Sequence, residues 1–349
     1  MSRTLYFPTR SWAFAAILVF ALACSSLFAT EAGPYRLSEI FHVGGEGSYW
    51  DYVTVDEEHH FLYLSRGSHL MVLNASTGVT VADIRGQERN HCVALVARVG
   101  RGFISDGDEG SVVIFDLQTF QVLGKIKVDV DADQIAYDPV NNKVLVVSGD
   151  PNTFIAISPD VDPKTGMADA TLALDGKPES FVVDQGKAYI NLTDRNEVAV
   201  VDTKSMKVIH RWSCAPGGVP VAMAMDHAQH RLFIGCRNPQ KVVVMNADDG
   251  TVISDFPIGA GVDATGFDGD VFASCRDGTL TVGRETSPGH FASIQSLTTK
   301  PWAGTMGLDT VTHKLYLPTA EFVQPPGVKT RTLVIPDSFM VLVVGREGK

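Results

Sequence analysis

Four carboxylates are set apart by position rather than by a local motif: Asp51, Asp133, Glu179 and Asp263. Each lies five residues before the residue that closes a short apolar segment, at Asp56, Asp138, Asp184 and Asp268. The three remaining equivalents are Val93, Val221 and Gly304. Carboxylates delivered by separate segments can surround a hard cation such as Ca²⁺. They can equally hold a small polar ligand. The competing use is structural, because Asp side chains readily accept neighbouring main-chain N–H groups. Tyr49, Trp50, Arg89, Asn90, His91 and Trp302 stand close by in sequence. A second polar set follows the next apolar segment: Arg66, Asp106, Asp108, Glu109, Asp194, Arg195, Arg237 and Arg276. The expected ligand site is therefore Trp50, Asp51, Arg89, His91, Asp133, Glu179, Asp263 and Trp302. Within it Asp51, Asp133, Glu179 and Asp263 are the candidate metal ligands. No cofactor is required; a metal ion is the one inorganic candidate.

Other chemistry has weaker support. There is no G-x-S-x-G elbow, Walker loop, H-E-x-x-H or C-x-x-C-H. Gly44-Gly45-Glu46-Gly47 matches a phosphate loop only in composition, since no helix is expected after it. His59, His60, His227, His230 and His313 fall in turns and read as surface residues; His91 alone is expected near the acids. Cys92, Cys214, Cys236 and Cys275 show no metal spacing. Cys236 and Cys275 occupy equivalent positions, and Cys214 precedes the repeat that holds Cys236. A Cys214–Cys236 disulfide and isolated buried thiols both fit that pattern.

These residues need a scaffold that brings distant segments together, and an internal repeat supplies it. Val221–Asp226 followed by Arg231–Ile234 is echoed by Thr305–Asp309 followed by Lys314–Leu317. The closing residue recurs at Asp56, Arg98, Asp138, Asp184, Asp226, Asp268 and Asp309, at intervals of 42, 40, 46, 42, 42 and 41. That period matches four short strands per blade. Third strands end at Asn74, Asp116, Asp202 and Asn246, before turns rich in Gly, Asn and Asp. The sequence predicts an all-β, seven-bladed β-propeller with four-stranded antiparallel blades, over residues 36–346 as a single domain. Leu37–Gly44 resembles the outer-strand segment Val252–Gly259, while the last repeat stops at its third strand, Phe339–Val344. The N-terminal strand is thus expected to complete the last blade and close the ring, which removes a free strand edge. First strands would line the central channel, so the acids would meet at its mouth. Pro318–Ser338 is expected as an irregular loop on that face, with Glu321 and Phe322 near the mouth. Asp160–Met167 is expected on the opposite face.

Residues 1–29 differ from the rest. Arg3 and Arg10 precede an uncharged apolar run, Trp12–Ala23, followed by small residues. This reads as a secretory signal peptide and places the mature protein in the periplasm or outside the cell. Cys24 offers lipid attachment as a minor alternative. Removing this segment takes two positive charges from a chain of net −11, leaving −13. Nucleic-acid affinity comes mainly from Lys and Arg displacing counterions, so a nucleic-acid partner is not expected.

With the repeat in place, the chain resembles the YVTN-repeat β-propellers, and in particular exported YncE-like proteins. The likeness rests on Trp50-Asp51-Tyr52, Gly261-Val262-Asp263-Ala264, Leu315–Phe322 and Phe339–Gly345. It implies a seven-bladed propeller outside the cytoplasm and no settled reaction. Some relatives are linked to DNA binding or to metal-related physiology. The expected role is a monomeric binding or interaction protein whose funnel takes a small molecule or an envelope-protein partner. The alternative is a propeller enzyme (lactonase, lyase or quinoprotein-like), marked by a metal or a His–acid pair at the mouth.

Overall fold

The computed structural model describes Met1 and residues 33–324 and 333–347. The segment expected as a signal peptide, with Cys24, lies outside the described residues after Met1, and so does Pro325-Pro326-Gly327. Ala32–Lys349 forms one compact unit.

That unit is almost entirely antiparallel strand. β1 (Tyr35–His42) is followed by β2 (Val53–Asp56), β3 (Phe61–Ser65), β4 (Gly67–Asn74), β5 (Thr80–Val96), β6 (Arg101–Asp106), β7 (Ser111–Asp116) and β8 (Val122–Lys127). Next come β9 (Ala132–Asp138), β10 (Lys143–Ser148), β11 (Thr153–Ile157) and β12 (Ala170–Ala173). β13 (Pro178–Asp184), β14 (Lys187–Leu192), β15 (Glu197–Asp202) and β16 (Lys207–Ser213) make the following sheet. β17 (Pro220–Asp226), β18 (Arg231–Arg237), β19 (Gln240–Asn246) and β20 (Val252–Pro257) make another. So do β21 (Val262–Asp268), β22 (Asp270–Cys275), β23 (Thr279–Ser287) and β24 (His290–Thr298). The last sheet orders β1 beside β29 (Met340–Arg346), then β26 (Lys314–Thr319), then β25 (Gly307–Asp309).

Two features depart from expectation. β5 pairs with β4 through its first half and with β6 through its second, so β2–β8 form one seven-stranded sheet rather than two separate blades. Gly86, at φ 105°, bends the strand through an irregularity between Arg85 and Asn90 without ending it. The segment after Thr319 is also not structureless at its base: β27 (Phe322–Val323) pairs with β28 (Leu333–Val334).

Local chemistry explains the strand ends. Asp138 Oδ1 accepts the N–H of Val140 at 2.9 Å, Asp226 that of Ala228 at 3.0 Å and Asp309 that of Val311 at 2.9 Å. Each is an Asx turn that reverses the chain. Asn74 and Asp116 do the same after third strands. Arg98 cannot, and its strand stops earlier: a 3₁₀ turn over Ala97–Val99 ends on Gly100 at φ 65°, a left-handed conformation glycine adopts cheaply.

The core lies between sheets. Val112, Ile114 and Phe103 of β6–β7 pack on Ile135, Val144 and Ile155 of the next sheet. The sheet that joins β1 to β29 packs on both sides: Leu315, Leu317 and Leu342 meet Phe272, Leu280 and Val282 of β22–β23, and Phe41, Tyr316 and Val341 meet Leu62, Leu64 and Leu73 of β3–β4.

Candidate functional site

Inner strands carry a β-bulge where the functional side chains sit. Pairing of β9 with β10 skips from Ile135 to Ala132, leaving Asp133 outside the ladder. β13 skips from Phe181 to Pro178 around Glu179, and β21 from Ala264 to Val262 around Asp263. β5 skips from Val93 to Asn90 around His91. A bulge bends a strand and re-aims its side chain. Strict alternation would not turn these four residues to one place.

The result is a cavity of about 330 Å³ lined by Tyr49, Asp51, Tyr52, Arg89, His91, Asp131, Asp133, Lys177, Glu179, Asp263 and Arg276. All four expected carboxylates are present, with Arg89 and His91. At its centre His91 Nδ1 lies 2.8 Å from Asp51 Oδ2 and 3.5 Å from Asp133 Oδ1. Tyr49 O–H donates to Asp51 Oδ2 at 2.7 Å and lies 3.1 Å from the same imidazole nitrogen. Burial works against a charged His91, but the Asp51 hydrogen bond and the Asp133 and Asp51 charges outweigh it and raise its pKa. Burial pushes the Asp133 carboxyl well above the usual range, the His91 charge opposing. Asp133 Oδ1 is buried and accepts no hydrogen bond. Burial raises Glu179 too, against the Arg237 and Lys177 charges. Asp263 is taken by two arginines: Arg276 binds it bidentately at 2.7 and 2.9 Å, and Arg237 Nη2 contacts the same carboxylate.

Trp50 and Trp302 stand in an adjoining cavity of about 290 Å³, which shares Tyr49, Asp263 and Arg276 with the first and adds Ser48, Thr305, Phe322 and Val334. Phe322 lies 6.1 Å from Trp50 and 6.3 Å from Trp302, centroid to centroid, and the Arg276 guanidinium sits 5.7 Å from the Trp302 ring. Trp302 is 44% exposed. The funnel thus has an acidic end and an aromatic end.

The metal expectation is narrowed. Asp51, His91 and Asp133 offer ligand atoms within 4.8 Å of one another. Glu179 and Asp263 do not join that group among the described residues, and Asp263 is already neutralised. Several members of the second polar set serve the backbone instead. Asp106 accepts the N–H of Arg89 at 2.8 Å, and Asp194 that of Lys177 at 2.7 Å. Arg66 is not in the funnel. It is buried at 1% exposure, holds the carbonyls of Glu46 and Gly47 at 2.7 and 3.1 Å, and lies 3.6 Å from the Phe339 ring centroid. Tyr52, Asp131 and Lys177 escaped the sequence reading. Asp131 and Lys177 each precede an expected acid by two residues, so the same alignment could have found them.

His227 and His313 pair with Asp184 and Asp268 at 2.8 and 2.6 Å at the opposite ends of the inner strands, away from the cavity. Cys214 and Cys236 are thiols, not a disulfide, and both are buried. No helix among the described residues is long and apolar enough to cross a membrane.

No family model matches the chain, and no curated protein does. Solved structures match across nearly the whole length. U3-55K is 9% identical at a TM-score of 0.71, covering 89% of this chain and 99% of its own. The WD40 β-propeller domain of Doa1 is 14% identical at 0.68, covering 90% and 98%. The β-propeller domain of Myceliophteria thermophila Cps50 (Swd1) is 11% identical at 0.67, covering 89% and 99%. The chain therefore has a β-propeller fold.

Proposed function

We propose that this chain is an exported, seven-bladed binding propeller of the YVTN-repeat kind, whose funnel takes a small organic cation. Counting β5 in both of its sheets gives seven four-stranded units, and the β1–β29 pairing joins the last to the first. The signal-like leader and the quoted family phrases support export and kinship. The observation that carries the ligand class is the funnel's imbalance. Five carboxylates line the acidic cavity against Arg89, Lys177, Arg276 and the imidazole of His91, and buried Asp133 Oδ1 accepts no hydrogen bond. A protonated amine would supply the donor while its carbon body lies on Trp50, Trp302 and Phe322, as cation-binding aromatic walls do. A basic side chain of a protein partner would use the same chemistry.

The His91–Asp51 pair is the feature that would mark an enzyme. Here Nδ1 faces the acids while Nε2 is buried without a partner, and a Cβ on Gly107 would lie 2.9 Å from it. A base must reach its substrate, so this imidazole fits the role of a charge partner. A divalent cation is the second reading, favoured by the Asp51–His91–Asp133 grouping.

Thermal-shift titration decides between them. Spermidine or phenethylamine is expected to raise the Tm of the wild type and to leave Asp133→Asn unmoved. Stabilisation by Mn²⁺ or Ca²⁺ alone would favour the metal. A rise with phosphate and none with any cation would sink both.

A further inference from the structure

We propose that the cleft between β2–β4 and β6–β8 is a second binding site, which takes a neutral aryl carbonyl compound by a hydrogen bond from Tyr63. It lies where β2 ends at Asp56 and β7 at Asp116, at the opposite end of β2 from Asp51. Two other seams complete a pattern that this one leaves open. At the third position of β14 and of β26, Tyr189 and Tyr316 donate their hydroxyls across the seam to the carbonyls of Ala247 and Ala75, each at 3.0 Å. Those alanines follow β19 and β4, and their N–H groups bind His230 O and His60 O at 2.8 Å. Tyr63 is the third residue of β3. Leu117, the counterpart of the alanines, is held in the same way, N–H to Gly100 O at 2.9 Å. Yet the Tyr63 hydroxyl has no hydrogen-bond partner among the described residues. Tyr63 is only 1% exposed and lines a cavity of about 580 Å³.

Two residues depart from the pattern at this seam. Leu117 stands where the completed seams have alanine. Phe120, at φ 59°, stands where they have Gly78 and Gly250, at 70° and 77°, a left-handed conformation that is costly for a bulky residue. At those glycines the place of a side chain is taken by Phe41 and Trp212, 2.4 and 2.2 Å from an added Cβ. Here the turn supplies the ring itself, and Phe120 meets Phe61 at 6.1 Å, edge to face. The walls then select the ligand. Phe61, Leu117 and Phe120 offer apolar and aromatic faces. Both acids are spent: Asp56 binds the His59 ring at 2.9 Å, and Asp116 the N–H groups of Gln118 and Thr119 at 3.1 and 2.7 Å. They are not free counter-ions for an amine, and they repel an anion. Burial and the Asp56 charge hold the proton on Tyr63, so the phenol is a donor without an acceptor. A carbonyl carried on aromatic rings meets both demands, as the Ala247 and Ala75 carbonyls meet one of them elsewhere. None of this depends on what the funnel binds.

Benzophenone serves as probe and photolabel for the full-length chain. Diphenylmethane, of similar shape without the carbonyl, is the control. Benzophenone is expected to bind Tyr63→Phe about three- to tenfold more weakly than the wild type, the worth of one neutral hydrogen bond, while diphenylmethane binds both alike. Photolabelling and peptide mapping should mark the peptides that hold Phe61 and Phe120. Phe120→Gly, which the backbone conformation favours, should abolish that label by removing a wall. Melts separate binding from a structural role: Tyr63→Phe should keep the wild-type Tm, whereas Tyr316→Phe should lower it. Label absent from the Phe61 and Phe120 peptides, or equal affinity of Tyr63→Phe and the wild type for benzophenone, overturns the proposal. So does a Tyr63→Phe protein that melts as low as Tyr316→Phe, because its hydroxyl would then already have an acceptor.

Discussion

At the scale of single residues, the acidic cavity sets a charged cluster against the stability of its own fold. Asp133 has a raised folded pKa, so the folded state loses stability as pH climbs above the unfolded carboxyl value of about 3.9. His91 shifts stability in the same direction with pH, over a higher range. Its raised pKa contributes stability in full below about 6.5, and that contribution fades as pH rises through the folded value. Asp133→Asn removes the first cost and part of the second gain. Burial dominates Asp133, so the variant should be more stable than the wild type at pH 7. The gap should close below about pH 4, where wild-type Asp133 is neutral in both states. Melts across that range check it; an Asn variant destabilised at pH 7 would contradict the assignment. Arg66 makes the contrary case. Its guanidinium has lost its full basicity to burial, falling to about 10, yet it fastens the Gly44–Gly47 carbonyls and stacks on Phe339. Arg66→Met should cost about 1.5–3 kcal/mol in urea denaturation, the range for losing a charged hydrogen bond. Lys should not rescue it, having neither the planar face nor the fork.

Elements decide which of these residues meet. The strand ends were legible in sequence because Asp and Asn perform the same turn chemistry at most repeats, and that chemistry is local. The convergence of Asp51, Asp133, Glu179 and Asp263 was legible for the same reason, since a fixed offset from a turn fixes a depth in the fold. The bulges were not. A bulge is a mismatch between two strands, and neither strand records it alone. Arg66 was misplaced for a related reason: its partners are carbonyls twenty residues upstream, which carry no sequence signal. The pairing of β1 with β29 was readable as a missing strand, but not its second anchorage. Tyr35 O–H donates to Asp270 at 3.0 Å, its ring meets Phe272 edge-on at 5.0 Å, and Gln295 binds both its N–H and its carbonyl. β1 therefore clasps β22 and β24 as well as its own sheet. Tyr35→Ala should cost about 3 kcal/mol, as large-to-small aromatic changes in cores do. Deleting residues 35–43 should abolish the cooperative melt. A deletion variant with an unchanged Tm would show that β1 is an ornament.

Across the whole molecule, the seam between the first and last sheets is built like the others. Phe41, Tyr316 and Val341 against Leu62, Leu64 and Leu73 is as buried a core as Phe154 against Phe181 between β9–β12 and β13–β16. This matters for how the molecule comes apart. In an open stack each repeat leans only on its neighbours, and damage at one seam frees the piece beyond it. In a ring every sheet is held from both sides, so one weakened seam leaves no loose end. Phe181→Ala tests the difference: its ring meets Phe154 edge-on at 5.4 Å, and losing it should cost about 3–5 kcal/mol. On the proposed ring that loss lowers the midpoint of a single transition. Tryptophan fluorescence, reporting on Trp50 and Trp302 outside this sheet as well as on Trp212 in its β16, should then melt together with far-ultraviolet circular dichroism. Two separated transitions, one probe leading the other, would mean that the sheets unfold in sections. The funnel would then be a groove between movable parts rather than the rigid mouth that pre-arranged carboxylates require.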